Sequence, residues 1–515
     1  VIANDQKDFL FSLIKSLNKS EKRQFKLFVG RLDVNSDSIY LNLFNFLDKA
    51  NDYNEKDILK SSVVKKQQLA NVKAHLYKQI LISLRLTPLH KNIRSVLREQ
   101  LDFASILYHK GLYKQSLKIL DKAKETAMEY EEKNMAYEIV ELEKVIESQY
   151  ITRSIATRAD ELSVQAKELS QLNVISSKLS NLSLQLYSII LKSGYVKNKE
   201  ESDKITAYFQ DRLPKYEIKN LGFREKLWVY NAYLWYNFIL QDFLNSYKYA
   251  AKWVNLFHQN PNMIVLNPVF FLKGSNYHLE ALFFLQNKPK FQKALKEFEE
   301  KVSEESFPKD ENVEALKFLY LIFHSINEHF IDGSFQDGLA LIPKIESDFK
   351  NYSSKIDEHH KMIFYFKFAS LQFGAANNKE SIFYLDKIIS NKTLEMREDL
   401  LCFARVLNIL AHYEAGLDDD LEFLLKSTYR FLIKMNDLHE VQKEMIKFIR
   451  DLQNVYPHNL KQTFKDFHKK LKVYETHPFE RRAFLYLDIL SYLESKIENK
   501  PVARIIYDKY LERSK

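Results

Sequence analysis

Residues 97–124 read Leu97-Arg98-Glu99-Gln100-Leu101-Asp102-Phe103-Ala104-Ser105-Ile106-Leu107-Tyr108-His109-Lys110-Gly111-Leu112-Tyr113-Lys114-Gln115-Ser116-Leu117-Lys118-Ile119-Leu120-Asp121-Lys122-Ala123-Lys124. Two amphipathic segments meet here at Gly111. Apolar residues on either side recur at steps of three and four, the period of a helix with one buried face. Gly111 has no Cβ and admits the positive φ that ends a helix. Tyr113 is placed to wedge between the two helices, and Ser116 is small enough to let the second approach the first. Leu120 and Ala123 carry the buried face onward. The stretch predicts a helix, a tight turn and an antiparallel helix.

Turns of the same kind recur along the chain. They fall at Gly194, Gln241-Asp242, Lys288-Pro289, Gly333, Ala376-Asn377, Gly416, Tyr456-Pro457 and Lys500-Pro501. The spacing is 40–47 residues after a first gap of 83, which fits two units with a missing turn near Tyr150 to Ser154. Phe103, Ala104, Leu107, Gly111, Tyr113, Ser116, Leu120 and Ala123 together resemble the tetratricopeptide repeat, in which small residues sit at the helix crossing and large ones surround it. The repeat's Trp and closing Pro are absent. The resemblance implies an all-α chain, a right-handed α-solenoid of tetratricopeptide-like helix pairs over residues 89–515. A spacing above the ~34 residues of the standard repeat implies helices about a turn longer. The last pair is expected at Phe479 to Ile497 and Pro501 to Arg513.

Residues 1–88 do not follow the repeat and predict a basic N-terminal helical module. Phe9, Leu10, Leu13, Ile14 and Leu17 mark one helix. Asn18-Lys19-Ser20 offers N-caps for a second, with Glu21 in its first turn and a stop at Gly30. Ile39 to Leu47 marks a third, Asn54 caps a short fourth, and Val63 to Arg85 forms a long fifth before Thr87-Pro88. The blocks Leu13-Ile14-Lys15-Ser16-Leu17-Asn18-Lys19-Ser20-Glu21-Lys22-Arg23-Gln24-Phe25-Lys26-Leu27-Phe28 and Lys110-Gly111-Leu112-Tyr113 resemble an uncharacterised family of bacterial tetratricopeptide-like proteins from the Bacteroidota. That resemblance implies a fold and no activity.

Composition narrows the classes further. Gly 9 and Pro 10 in 515 residues are too few for sandwiches, barrels or Gly-rich phosphate loops. The aromatic run Trp228 to Tyr236 favours strand by residue type, but Trp228, Ala232 and Trp235 share a helical face, and the run leads into the turn at Gln241-Asp242. It is read as helix. The single cysteine, Cys402, excludes an internal disulfide framework and sits in an apolar helix, where packing is its role. The polar start lacks a secretory h-region and no apolar run reaches the roughly 18–20 residues of a membrane span. A cytoplasmic protein with no membrane insertion is expected.

Catalytic and metal-binding patterns are missing. His439-Glu440 is followed by Lys443 where a metalloprotease has its second His, His359-His360 are adjacent, and His324 and His329 are five apart. Asp418-Asp419-Asp420 reads as a helix cap. A non-enzymatic protein without a cofactor is the expectation.

Two surfaces remain as candidates. Extending the repeat register puts Asn231, Trp235, Asn276 and Asn327 on the groove-facing side of first helices, where Asn can hold a peptide backbone and an aromatic can anchor a side chain. Net charge is +9, distributed as +8 over residues 1–100, +5 over 440–515 and −4 between. Lys22, Arg23, Lys26, Lys65, Lys66, Lys73 and Lys78 are therefore candidates for contact with nucleic acid or an acidic partner. The leading reading is a scaffold or adaptor that binds a protein or peptide along the solenoid groove. The alternative is a nucleic-acid-associated regulator that uses the basic module.

Overall fold

A computed structural model describes residues 8–30, 37–61, 63–86, 92–149, 155–352, 355–391, 398–434, 440–452, 455–456, 459–482, 484 and 488–513. Among these residues there are 25 α-helices and no strand, with helices packed in neighbouring pairs. The chain divides into two compact units, residues up to Gln171 and residues from Leu172 onward. The turn expected near Tyr150 to Ser154 lies outside the described residues, as do Thr87-Pro88, Pro457 and His439.

The first unit holds two cores. One joins the helices Phe9–Ser16, Lys19–Val29, Asp37–Lys49, Glu55–Lys60 and Leu69–Leu86. It is built around Leu10, Ile14, Phe25, Phe44, Leu76 and Ile80, with the Phe25 and Phe44 rings 4.8 Å apart. Asn18 and Glu21 form a reciprocal cap. The Asn18 side chain accepts the Glu21 N–H at 2.9 Å, and the Glu21 carboxylate accepts the Asn18 N–H at 2.7 Å. The fifth helix starts at Leu69, not at Val63, after a short 3-10 turn at Lys66–Gln68. Val63 and Val64 are β-branched and lose χ1 freedom in a helix. Val64 is buried in the core ahead of it instead.

The second core joins Ile93–His109, Tyr113–Glu129, Lys133–Gln149 and the first part of Ile155–Ser193. Gly111 has φ 73°, and the turn around it is closed by two backbone bonds: Gly111 N–H to Tyr108 O and Leu112 N–H to Leu107 O, both 2.9 Å. Ser116 is fully buried and its hydroxyl donates to the Ala104 carbonyl at 2.7 Å, which pins the helix crossing. A Cβ on Gly111 would meet nothing within 4 Å. The cost of a side chain there is therefore the left-handed backbone alone. Gly111→Val is expected to destabilise by about 1–2 kcal/mol, and unchanged thermal melting would show that the turn tolerates a β-branched residue.

Ile155–Ser193 is a single helix of 39 residues, longer than the repeat spacing implied. No Gly or Pro interrupts the sequence between Ile155 and Gly194, so nothing stops the helix until Gly194 takes φ 68°.

From Gly194 the second unit repeats one turn. Gly194, Gln241, Gln286, Gly333, Ala376 and Gly416 all have positive φ, at intervals of 40–47 residues. At Gln241, Gln286, Ala376 and Gly416 the two bonds seen at Gly111 recur, such as Asp242 N–H to Asn237 O at 2.9 Å and Asn377 N–H to Gln372 O at 2.8 Å. Ser381 donates to Ala369 O at 2.9 Å across the same twelve-residue interval as Ser116 and Ala104. The turn expected at Lys288-Pro289 lies two residues earlier, at Gln286, and the one at Lys500-Pro501 begins at Asn499, φ 55°. Proline's φ is fixed near −65°, so it opens the following helix and leaves the positive φ to a residue before it.

The helix pairs are Phe223–Ile239 with Phe243–Gln259, Pro268–Phe284 with Lys288–Ser303, Glu311–Asp332 with Phe335–Tyr352, Glu358–Gly374 with Asn378–Ile389, Glu398–Glu414 with Asp418–Lys434, and Glu440–Leu452 with Leu460–Lys472. The aromatic run at 228–236 is helical, as expected, and is buried on most of its circumference because it packs on both sides. The final pair differs from expectation. Its first helix is Ile489–Glu498, not Phe479 to Ile497, because Asp488 caps it by accepting the Ser491 N–H. Glu480–Arg482 forms a 3-10 turn instead.

This last pair turns back onto the middle of the array. Arg481 donates to the Gln241 carbonyl at 2.6 Å, Arg513 to Gln286 Oε1 at 3.2 Å, and the Tyr492 and Phe373 rings lie 5.7 Å apart. Gly333 sits where the helix Val502–Arg513 crosses. A Cβ there would lie 2.7 Å from the Ala503 carbonyl oxygen.

Candidate ligand-binding cavity

Polar residues on three consecutive first helices, Pro268–Phe284, Glu311–Asp332 and Glu358–Gly374, join in the interior of the second unit. His324 is fully buried and bonds through Nε2 to Asn276 Oδ1 at 2.9 Å. Its Nδ1 faces the Asn327 amide nitrogen at 3.4 Å, and Asn327 Oδ1 accepts from the Lys367 ammonium. The pattern closes with one assignment: Nε2–H donates to Asn276, while the Asn327 NH₂ donates to a bare Nδ1. The imidazole is therefore neutral. Burial, and then the nearby Lys367 charge, hold its pKa down to about 3.

Lys367 ends this ladder and faces a cavity of about 480 Å³. Its ammonium lies 4.3 Å from the centre of the Phe323 ring and 5.7 Å from those of Phe283 and Phe330. Among the described residues no carboxylate lies within 4 Å of it. Burial lowers its pKa to about 8, against the attraction of Glu280. Phe283, Phe284, Phe330 and Phe335 line the cavity from the array, and the returning C-terminal segment lines it with Arg481, Tyr492, Ile506, Lys509 and Arg513.

The other charges at the wall are mostly engaged. Lys509 pairs with Glu494 at 2.6 Å, Glu475 with Lys472 at 2.8 Å, and Asp488 accepts from Ser491. Arg481 spends one Nη on the Gln241 carbonyl, while its buried Nε has no hydrogen-bond partner. Lys367 thus faces the aromatic lining with no carboxylate within 4 Å among the described residues, while Arg481 lines the wall with its Nε closed off from the space.

A second cavity of about 280 Å³ adjoins the first and shares Tyr195, Glu280, Phe323 and Ile363 with it. Tyr187, Trp235 and Tyr277 line it, with Trp235 4.9 Å from Tyr187 and 5.0 Å from Tyr277, ring centre to ring centre. Lys273 is at its wall, its pKa lowered by burial.

The residues singled out in the sequence fall as follows. Trp235 and Asn276 line the smaller cavity and Asn327 the larger. All three, like Asn231, are at least 90% buried, and the Asn276 and Asn327 side-chain oxygens are taken by His324 and Lys367. Asn231 lines neither cavity. In the first unit, Lys22 pairs with Asp48 at 2.7 Å, and Lys73 pairs with Asp8 beneath the Tyr53 ring. Arg23, Lys26, Lys65, Lys66 and Lys78 are exposed. Cys402 is fully buried. Lys367 and Arg481 were not singled out, although Lys367 is the one charged residue in the run Met362-Ile363-Phe364-Tyr365-Phe366-Lys367-Phe368. Among the described residues no three His, Cys, Asp or Glu gather to hold a metal ion, and no helix is long and apolar enough to cross a membrane. No family model, curated protein or solved structure matches the chain.

Proposed function

We propose that the chain is a right-handed tetratricopeptide-like solenoid that acts without catalysis, holding a segment of a protein partner in the joined cavities of its second unit. The observation that carries this reading is the aromatic-walled space with Lys367 and Arg481 at its surface. Its volume lies in the range of sites that bury a compact ligand, and its phenylalanines offer apolar anchorage of the kind that dominates binding energy. The polar ladder from Asn276 to Lys367 fixes the wall in one arrangement before a partner arrives, which lowers the cost of ordering on binding.

The nucleic-acid reading has less support. Lys22 and Lys73 are neutralised by carboxylates within the first unit, which removes two of the charges that phosphate contact would use.

Selection of a displayed peptide library on the full chain tests the proposal. Peptides with aromatic or aliphatic side chains beside an acidic residue should be enriched. Ser370 lines the larger cavity, so Ser370→Trp fills the space and should reduce binding of the selected peptides at least tenfold with little change in melting temperature. Peptides that bind the tryptophan variant equally well, or no enrichment at all, would overturn the reading.

A further inference from the structure

The larger cavity has a chemistry narrower than peptide capture requires. Phenylalanines dominate its array wall, and four cationic side chains line it, Lys367 on the helix Glu358–Gly374 and Arg481, Lys509 and Arg513 on the returning C-terminal segment. A desolvated donor without an acceptor is costly. The Lys367 ammonium, with three hydrogens, has the single acceptor Asn327 Oδ1 and otherwise ring faces. The three carboxylates at the wall do not fill this role. Glu475 and Asp488 are engaged elsewhere, and Glu280 lies beyond ion-pair distance of Lys367 among the described residues.

We infer that this cavity is a binding site for a small amphiphilic carboxylic acid, its carboxylate received by the Lys367 ammonium and its apolar body lying among Phe283, Phe284, Phe330 and Phe335. A carboxylate supplies the acceptor that the remaining ammonium hydrogens lack, in a charge-assisted bond. The apolar remainder replaces water against rings that have no polar group to offer it. The inference uses the same cavity as the proposed peptide site but does not depend on a peptide binding there.

Titration of the full chain with straight-chain carboxylates from hexanoate to dodecanoate, each below its micelle concentration, reads the site directly. Affinity should rise about fourfold per added methylene and level off once the cavity is filled. The methyl ester of the best acid should bind at least tenfold more weakly. Lys367→Met should lose at least tenfold, Lys367→Arg should keep most of the affinity, and Ser370→Trp should abolish binding. Circular dichroism melts establish that each variant is folded, and Ser370→Trp and the ester comparison report even if Lys367→Met does not fold. Equal binding of acid, ester and the matching alcohol would overturn the inference, as would wild-type affinity in a folded Lys367→Met. Acids that fail to bind while library peptides remain sensitive to Ser370→Trp would remove the inference and leave the peptide reading intact. The reverse pattern would remove the peptide reading alone.

Discussion

Lowering the pH from 7 to 4 is expected to destabilise the second unit steeply, and His324→Gln is expected to remove much of that loss. An unfolded histidine takes its proton near pH 6.5. Folded His324 is fully buried, donates to Asn276 and lies near Lys367, and it stays neutral until about pH 3. Between these values the unfolded state binds more protons than the folded one, so stability is complete above pH 6.5 and drains as pH falls toward 3. At about 1.4 kcal/mol per unit, this group alone accounts for on the order of 3 kcal/mol at pH 4. His278 acts in the same direction, since burial and the nearby His258 lower its pKa to about 4. Carboxylates enter later. Asp357, held well below the usual range by its hydrogen bond from His360, and Asp332, pushed up by burial but carried below by Lys288 and Ser334, lose their contribution only below about pH 4. Urea unfolding at pH 7 and pH 4 separates the groups. The difference between the two pH values should shrink by about 2–3 kcal/mol in His324→Gln, whatever the substitution costs at pH 7. An identical difference in wild type and variant would show that His324 is protonated in the folded state.

The pair architecture was legible because its signal is local. At Gly111, Gly194, Gly333 and Gly416 the residue type announces the positive φ. At Gln241 and Ala376 it does not, and there the spacing between apolar faces located the turn. At Gln286 and Asn499 the following proline drew the reading one or two residues too far, because a proline marks a helix start more sharply than a glutamine marks a helix end. The long helix Ile155–Ser193 was readable in principle from the absence of Gly and Pro, but an expectation of regular spacing hid it.

The cavity was legible only in fragments. Register put Asn276 and Asn327 on inward faces, yet nothing local shows that His324 lies between them, since Asn276 and His324 are 48 residues apart. Lys367 breaks an aromatic run and could have been noticed, because a lone cation among buried aromatics must find an acceptor or a ring face. Arg481 could not. Its partner is the carbonyl of Gln241, 240 residues away, and that contact arises from the curl of the whole array. No hydrophobic period records it. The basic first hundred residues drew attention by count, but charge totals do not reveal that Lys22 and Lys73 are paired with Asp48 and Asp8.

The return of the C-terminal helix has its own test, because two glycines with nearly the same backbone differ in what lies beyond them. Gly333 has φ 74° and Gly416 has φ 66°. An alanine at either position bears the left-handed cost of about 1–2 kcal/mol. At Gly416 a Cβ meets nothing within 4 Å, so Gly416→Ala should stop at that value. At Gly333 the Cβ would lie 2.7 Å from the Ala503 carbonyl oxygen and 3.1 Å from Ile506 Cβ, and the first of these is backbone. The helix Val502–Arg513 must then shift, which adds an overpacking cost of about 1–3 kcal/mol. Gly333→Ala is therefore expected to destabilise by about 2–5 kcal/mol in all. Val502, Ile506, Lys509 and Arg513 line the larger cavity, so the shift also opens its wall. Amide hydrogen exchange reads both consequences: residues 502–513 should lose protection in Gly333→Ala and keep it in Gly416→Ala. Equal melting temperatures and equal exchange in the two variants would mean that the C-terminal helix does not rest on Gly333, and the cavity would then lack its second wall.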